Sequence, residues 1–573
     1  MSRRRGSVSR SVWTKSLLFV IAWSCSGALP AQDSDDTIAL SAPVLQTLAK
    51  LQDEWLVWNS AFLQDDEVAA SAAVDDMLAS AEQLGFSSIA DVHHGVLLSA
   101  VEAAREGNFA KARWALGMAE RLDRGQPETE FARGRVETLE GNRLAAVGAQ
   151  LRGVWATATD RRMGRLFLYN VQIWLLVSLL LTSAGYIALQ MATKGPHLYR
   201  EVVNWLGRLM PRMVALVIAG AFLLWPFLLP RGWAWIVIYW AALLWGYGSS
   251  SEKWATALAL IFLGLVPIAV RAQQAGLIMA LSPEQKAIDG IVEERLYGTL
   301  FEDLARLDGR LPDSVAADHL LADVHVMLGQ RELARPRYSS VADAEPDNGE
   351  ALNNLGVFHL MRNEHARAIP FFESATAIQN SKLAAAYNLA QIYSERLEIS
   401  NSEQQLSIAR SVDAGTVSQW IAEQRRFVPL QGGFERIGAI REELRGQLAP
   451  AVLMDQWRSW GRSILVSLGA IGVGFLLQLF RSRSGAWRGL QTEPVTWLGR
   501  AAQWSIPGFI SAEAGDGGRA FVALLVPVTA LVLPISGLLS YRMPWSFGPG
   551  PTLVWGSALV VLALFFAWRW KYR

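Results

Sequence analysis

Long apolar runs alternate along the chain with amphipathic stretches that carry many charged residues. Seven apolar runs approach the length of about 20 residues that a helix needs to cross a bilayer. Two other stretches, about 32–160 and 272–460, have helical spacing of apolar positions among acidic and basic residues. The pattern predicts an all-α protein, with a transmembrane helical bundle of about seven spans and two soluble helical blocks. The predicted spans are Leu166–Met191, Met213–Leu229, Trp233–Gly248, Trp254–Val270, Ser463–Phe480, Ala520–Leu539 and Leu553–Trp568.

The amino terminus has the pattern of a secretory signal peptide. An arginine-rich region precedes the short apolar run Ser16–Trp23, and small residues then lead to Ala31. This order is typical of export signals, and the run is short for a membrane span. We predict cleavage after Ala31; an uncleaved anchor is the alternative. Cys25, the single cysteine, lies in this segment and excludes disulfides within the chain.

Export of the first block sets the predicted topology. Four spans return the chain to the same side, so the second block is exported too, and three further spans leave the carboxyl terminus in the cytoplasm. The predicted organisation is a signal peptide at 1–31, a periplasmic helical domain at 32–164, four spans within 165–271, a periplasmic domain at 272–460, a span at 463–480, a cytoplasmic loop at 481–519 and two spans within 520–570.

Basic residues follow the positive-inside rule under this topology. The short outer loops hold Arg231 and Arg542. Three arginines at 161–165 lie on the outer side of the first span, where the rule does not expect them. The predicted inner segments hold Lys194, Arg200, Arg208, Arg212, Lys253, Arg481, Arg483, Arg488, Arg500, Arg519, Arg569, Lys571 and Arg573. Localisation in the bacterial inner (cytoplasmic) membrane, as a multi-pass protein, is therefore predicted.

Composition narrows the function classes. Hydrophobic residues make up 51% of the 573 and charged residues 18%, below the roughly 25% typical of soluble domains. With 53 basic against 52 acidic residues, no bulk charge attracts nucleic acid. The predicted spans contain no ionisable residue between their flanks, which argues against an ion-coupled transporter.

A period of 34 residues runs through the second block. Pro312-Asp313 and Pro346-Asp347 are one period apart, and Leu321, Leu355 and Leu389 keep the same step. The pattern resembles the tetratricopeptide repeat (TPR), a pair of helices A and B that stacks on its neighbours. The clearest units are 315–348, 349–382 and 383–416. In the first block, Gly107-Asn108 and Gly141-Asn142 repeat the period more faintly.

Resemblance to the TPR family implies a solenoid with a concave groove that holds peptides or partner helices. In that family the A helices line the groove, and Asn354 and Asn388 match a place that bonds a peptide backbone; ordinary polar surface is the alternative. The basic residues that clamp a carboxyl terminus in some relatives are missing. The matching groove positions are His319, Asp323, Asn353, Asn354, Val357, Met361, Tyr387, Asn388 and Gln391.

Several local features complete the sequence prediction. Pro336 and Pro370 lie inside predicted B helices and predict kinks or late helix starts. The segment 197–210 predicts an amphipathic interfacial helix or a connector, and the glycine-rich segment 505–520 a flexible turn. HExxH, phosphate-loop and GxSxG motifs are missing from the sequence, so no catalytic residue, metal or cofactor is predicted.

The predicted function is a membrane-anchored TPR scaffold, not an enzyme, that binds protein partners in the periplasm as part of an envelope assembly. Its partners are proteins or peptides in the groove and membrane lipid. An envelope glycan-handling membrane enzyme or subunit is one alternative. A transporter subunit is the other.

Overall fold

The computed structural model of the chain describes residues 40–228, 233–448, 506–536, 543 and 547–571. These residues are almost entirely α-helical, with two strands of two residues each, so the predicted all-α class is confirmed. The predicted signal peptide, with Cys25, and the predicted span Ser463–Phe480 lie outside the described residues.

Three helical hairpins form the first block. Gly107 and Gly141 end helices with φ of +85° and +95°, and the Asn108 side chain caps the next helix by accepting from the Lys111 amide. Glycine suits that left-handed backbone, so the Gly-Asn repeat marks the hairpin turns, although the Asn142 side chain bonds Glu137 and Glu140 instead of capping its helix. The helices are α1 (Ala42–Leu63), α2 (Glu67–Gln83), α3 (Ala90–Arg105), α4 (Phe109–Leu122), α5 (Pro127–Glu140) and α6 (Arg143–Thr159), with strand β1 (Ser88–Ile89) before α3.

Apolar helices follow the first block. By length and composition, two described helices could cross a membrane, Met163–Leu206 and Gly517–Ile535, rather than the seven predicted. Shorter apolar helices lie at Arg212–Phe227, Ile236–Tyr247, Ala272–Leu281 and Leu553–Ala567. The elements before the second block are α7 (Met163–Leu206), α8 (Arg212–Leu228), α9 (Trp233–Leu244) and α10 (Ser250–Leu281).

Helix α7 corrects one boundary that the sequence predicted. It continues through Pro196 to Leu206, so most of segment 197–210 extends the first apolar helix and is not a separate element. Lys194, predicted in an inner loop, is instead a buried residue of this helix and pairs with Glu252.

The second block contains four more hairpins and a final helix. Ser314 and Asn348, one period apart, cap the A helices by accepting from the amides of Ala317 and Ala351. The repeated Pro-Asp pairs lie immediately before these two capping residues. The elements are α11 (Pro283–Val292), β2 (Arg295–Leu296), α12 (Leu300–Arg310), α13 (Val315–Met327), α14 (Arg331–Ala344), α15 (Gly349–Met361), α16 (His365–Thr376), α17 (Lys382–Glu395), α18 (Ile399–Ala422) and α19 (Ile437–Leu448).

The B helices α14 and α16 begin at Arg331 and His365 and run unbroken through Pro336 and Pro370, so the prediction of a late helix start was wrong. Both prolines fall at the sixth helical residue, just beyond the four amides that have no partner within the helix, so each proline removes one backbone hydrogen bond near the start of its helix. A real interruption occurs in α18, where Asp413 has φ −154° and ψ 99°. Helices α20 (Phe509–Glu513), α21 (Gly517–Ser536) and α22 (Pro551–Lys571) complete the described chain.

The two helical blocks share one hydrophobic core, to which α1–α5, α11–α13 and α19 all contribute. Strands β1 and β2 pair in parallel across the blocks, and Arg295 Nε lies 2.7 Å from the Asp123 carboxylate. The Met327 side chain packs so closely on Gly85 that an added Cβ would lie 2.4 Å from its Cγ. The blocks therefore form one body, which the sequence repeats did not indicate.

Helices α7 and α10 pack against each other and are joined by polar contacts near both ends. At one end, Gln273 Nε2 donates to the Tyr169 carbonyl at 2.7 Å. At the other, Gln190 Nε2 donates to Glu252 Oε1 at 3.3 Å, and Lys194 Nζ lies 2.6 Å from the same oxygen. These two sets of contacts are about 20 residues apart along each helix, which corresponds to about 30 Å of α-helix.

The glycine-rich segment before α21 is a packed turn rather than the flexible one predicted. Ser249 Oγ donates to the Gly515 carbonyl, and the Gly518 amide donates to Ser251 Oγ at 3.1 Å. A Cβ on Gly517 would lie 2.4 Å from the Glu252 Cα. Glycine at 517 therefore allows this turn to approach the start of α10.

Candidate functional site: a TPR groove that holds its own chain

The predicted groove is occupied by a segment of the same chain. After α18, residues 425–432 have no helix or strand, and a short 3-10 helix begins at Gly433. We call residues 425–433 the strap. The strap crosses the A helices α17, α15 and α13 in that order, against the chain direction of the repeats. The groove is therefore built from consecutive TPR units and closed by their own continuation.

Asn354 and Asn388 hold the strap by its main chain. Asn388 Nδ2 donates to the Val428 carbonyl at 2.9 Å, and the Val428 amide donates to Asn388 Oδ1 at 2.8 Å. Asn354 repeats this pair with Leu430, at 2.7 and 2.8 Å. A carboxamide offers one donor and one acceptor, so each asparagine satisfies both backbone groups of one residue. Residues two apart on an extended chain point their backbone groups the same way, so both asparagines bind the same edge of the strap.

A third asparagine connects these two contacts. Asn353 Nδ2 donates to the Val428 carbonyl at 3.0 Å, and Asn353 Oδ1 accepts from Asn388 Nδ2 at 2.9 Å. All three asparagine side chains are buried, at 2% exposure or less. Because buried amides need partners, the network fixes the orientation of each carboxamide toward the strap.

The strap ends in a close glycine contact with α13. Asp323 Oδ2 accepts from the Gly433 amide at 2.8 Å, and Oδ1 accepts from the Tyr338 hydroxyl. A Cβ at Gly433 would lie 2.6 Å from the Leu320 Cα, so the main chain reaches Asp323 because residue 433 is glycine. His319 lies beside this contact, edge-on to the Tyr338 ring.

The other end of the strap is held by polar groups at the rim. Tyr387 Oη donates to the Arg425 carbonyl at 2.6 Å. Arg426 Nε lies 2.7 Å from Glu395, and its Nη2 donates to Asn363 at 2.7 Å. Tyr387 is buried, whereas Arg426, Glu395 and Asn363 are exposed, so the ion pair adds little stability compared with the buried asparagine contacts.

Six of the predicted groove residues surround the strap: His319, Asp323, Asn353, Asn354, Tyr387 and Asn388. Val357 and Met361 pack in the hydrophobic cluster between repeats, and Gln391 is half-buried on α17. Within the described chain, the latter three make no hydrogen bond to the strap. Sequence reasoning missed the strap itself; its signal was the run Val428-Pro429-Leu430 followed by Gly432-Gly433, which no helix accommodates well.

Two buried titratable groups give this end of the groove opposite pH responses. Burial raises the pKa of the Asp323 carboxyl to about 7, so its stabilising contribution is lost as pH rises through 7. Burial, with Arg436 nearby, lowers the pKa of His319 to about 4, so its contribution is lost as pH falls from 6.5 toward 4.

We expect Asp323→Asn and His319→Gln to change the pH profile of thermal unfolding in opposite directions. Without the carboxyl, the His319 response remains, and stability should rise more steeply than in wild type between pH 4 and 7. Without the imidazole, stability should fall across that range relative to wild type. Thermal unfolding at closely spaced pH values measures both slopes. Profiles parallel to wild type in both variants would contradict the assignment.

The comparison with known families agrees with this geometry. The tetratricopeptide repeat family model matches residues 319–382, which contain most of α13, all of α14 to α16, and the groove residues from His319 to Met361. The chain therefore contains a TPR region, and such repeats generally mediate contacts between proteins. A comparison with curated proteins finds no match to the chain.

Proposed function

We propose that this protein is a scaffold anchored in the bacterial inner membrane, whose TPR groove binds an extended segment of a protein partner in the periplasm. The observation that carries the proposal is the pair Asn354 and Asn388 on successive A helices. Each binds the amide and carbonyl of one residue in an extended main chain. This is the chemistry of peptide recognition, and it requires no catalytic group.

The packed pair of α7 and α10 supports membrane anchoring. The polar contacts at its two ends are separated by about 30 Å, close to the thickness of a bilayer hydrocarbon core. Between these ends the pair exposes large apolar side chains, which water disfavours and lipid accepts. Those on α7 are Leu175 and Leu181, and those on α10 are Leu258, Ile261 and Leu265.

Contacts between distant segments support the proposed sidedness. The segment before α22, proposed to face the periplasm, contacts the first block: the Gly550 amide donates to Gln150 Oε1 at 2.7 Å, and Phe547 lies against His94. The segment before α21, proposed to be cytoplasmic, contacts the start of α10 at Ser249 and Ser251 instead. Segments that are proposed to lie on the same side of the membrane therefore contact one another. This is expected if one bilayer separates the two sides.

Cysteine labelling in cells tests this topology. We use a Cys25→Ser background and place single cysteines at Leu397, which is 82% exposed on the TPR region, and at Arg519, whose side chain is 84% exposed. A membrane-impermeant maleimide should label Leu397→Cys in intact spheroplasts and Arg519→Cys after permeabilisation. Labelling of both sites, or of Arg519→Cys alone, before permeabilisation would contradict the topology.

Cross-linking and purification from membranes tests the scaffold function. Point variants are sharper than removing residues 281–425, because α11–α13 also form the core shared with the first block. We compare wild type with Asn354→Ala/Asn388→Ala and with the control Asn401→Ala, whose side chain is on the exposed face of α18. Specific partners should be lost in the double variant and kept in the control. If both variants retain the same partners, the groove is not the site that binds them.

A further inference from the structure

We propose that the strap is a displaceable internal ligand, and that the partner of the groove is an extended peptide that replaces it. This peptide has apolar side chains at the positions of Phe427, Val428 and Leu430 and glycine at the position of Gly433. The inference rests on the proposed function of the groove as a binding site. It adds the chemistry of the partner and a resting state in which the chain blocks its own site.

The groove binds its ligand mainly through the ligand's main chain, and the strap shows which backbone conformation fits. Asn354 and Asn388 engage backbone groups of Leu430 and Val428, so any extended segment can make the same four hydrogen bonds. Such contacts give affinity, while the side chains between and beside them give specificity. Pro429 lies between the two bonded residues, where it holds the chain extended without removing a bonded amide.

Apolar side chains of the strap enter small clusters on the repeats. Val428 is 5% exposed and packs in the cluster that contains Tyr387 and Ala386, with Leu430 against its edge. Phe427 packs against the neighbouring cluster around Leu360. Burial of these groups favours binding by the hydrophobic effect, and a charged residue in place of Val428 would be buried without a counter-charge.

Glycine at position 433 is a steric requirement. An added Cβ there would meet the backbone of Leu320 at 2.6 Å and the His319 carbonyl carbon at 2.7 Å. Backbone atoms of α13 cannot move aside as a side chain could. By contrast, a Cβ at Gly432 would meet the flexible carboxylate of Glu350, so residue 432 is the less restricted of the two.

The strap has the properties of a ligand rather than of a core element. Residues 425–432 contain no helix or strand, and the main chain of Val428, Leu430 and Gly433 binds side chains of the groove. The core shared by the two blocks includes Ile437, Ile440 and Leu444 of α19 but no strap residue. The strap can therefore leave without opening that core, while its two tethers return it at a high effective concentration. A competing peptide can consequently bind only the fraction of molecules in which the strap has left the groove.

Peptide binding to the full-length protein in detergent tests the proposal. The probe is a fluorescent peptide with the strap sequence, RRFVPLQGG. Gly433→Ala and Val428→Asp change only the strap, and we expect both to bind the probe at least tenfold more tightly than wild type. The control Gly438→Ala, where a Cβ meets open space, should bind as wild type does. Adding Asn354→Ala/Asn388→Ala to Val428→Asp should abolish the gain.

A probe with alanine in place of its last glycine should bind every variant at least tenfold more weakly. The proposal is overturned if folded Gly433→Ala and Val428→Asp proteins, checked by thermal unfolding, bind the probe no better than wild type. A gain in probe affinity without any membrane partner that depends on Asn354 would retain the internal ligand and overturn the scaffold function. If partner binding depends on Asn354 but the affinity for the probe does not rise, the scaffold function is retained and the internal ligand is overturned.

Discussion

Replacing both Asn354 and Asn388 with alanine should release the strap and expose it to protease. The change removes four hydrogen bonds to the strap and leaves the Val428 amide and both backbone groups of Leu430 without partners in a buried groove, while Asn353 still binds the Val428 carbonyl. Each such group costs about 1–3 kcal/mol, so docking should weaken by more than about 3 kcal/mol. At about 1.4 kcal/mol per tenfold, cleavage by trypsin after Arg426 should accelerate at least about 100-fold.

The matched control for this experiment is Asn401→Ala. The Asn401 side chain hydrogen-bonds Glu398 at the start of α18 and is exposed, so its loss should change cleavage little. Mass spectrometry of the early fragments identifies cleavage at Arg425 or Arg426. Equal cleavage rates in wild type and in the double variant would show that the asparagines do not hold the strap.

Breaking the ion pair between Lys194 and Glu252 should destabilise the bundle of apolar helices. Both side chains are 1% exposed, and their charged atoms are 2.6 Å apart. Removal of one partner leaves the other charge buried, which typically costs about 3–5 kcal/mol. We expect Lys194→Met to lower the unfolding midpoint in detergent strongly. Lys194→Met/Glu252→Gln should recover much of that loss, because no charge remains buried.

A double-mutant cycle separates this pairing from other roles of Glu252. Its carboxylate also accepts from the Ser249 amide in a capping box at the start of α10, and glutamine retains an acceptor there. The four unfolding free energies should give a coupling above about 2 kcal/mol between the two side chains. If the two substitutions change the unfolding free energy additively, the two side chains are not coupled, which would contradict the ion pair at this position.

Local, periodic signals account for what the sequence predicted well. The 34-residue step places helix starts at Val315 and Gly349 as observed, because capping residues repeat with it. The resemblance to the TPR family implied that Asn354 and Asn388 line the groove, and both contact a main chain there. The small Gly356 faces the Phe372 ring, where a Cβ would lie 2.7 Å away, as close packing of the two helices predicts.

Contacts between distant segments account for what the sequence did not predict. The strap reaches Asn354 across 76 positions, and β1 pairs with β2 from another block. Neither contact leaves a periodic pattern in the sequence, because a single extended segment of nine residues contains no repeat. The length of α7 was missed for a different reason: the apolar run that predicted the span ends at Met191, whereas the helix continues through Pro196 to Leu206 and packs against α8 and α9.

Hydrogen–deuterium exchange on the full-length protein in membranes tests most directly whether the groove binds an extended main chain. The amides of Val428, Leu430 and Gly433 donate to Asn388, Asn354 and Asp323. We predict slow exchange at these three amides in wild type, and exchange at least about 100-fold faster at Val428 and Leu430 in Asn354→Ala/Asn388→Ala. Exchange in wild type at the rate of an unstructured peptide would contradict the account.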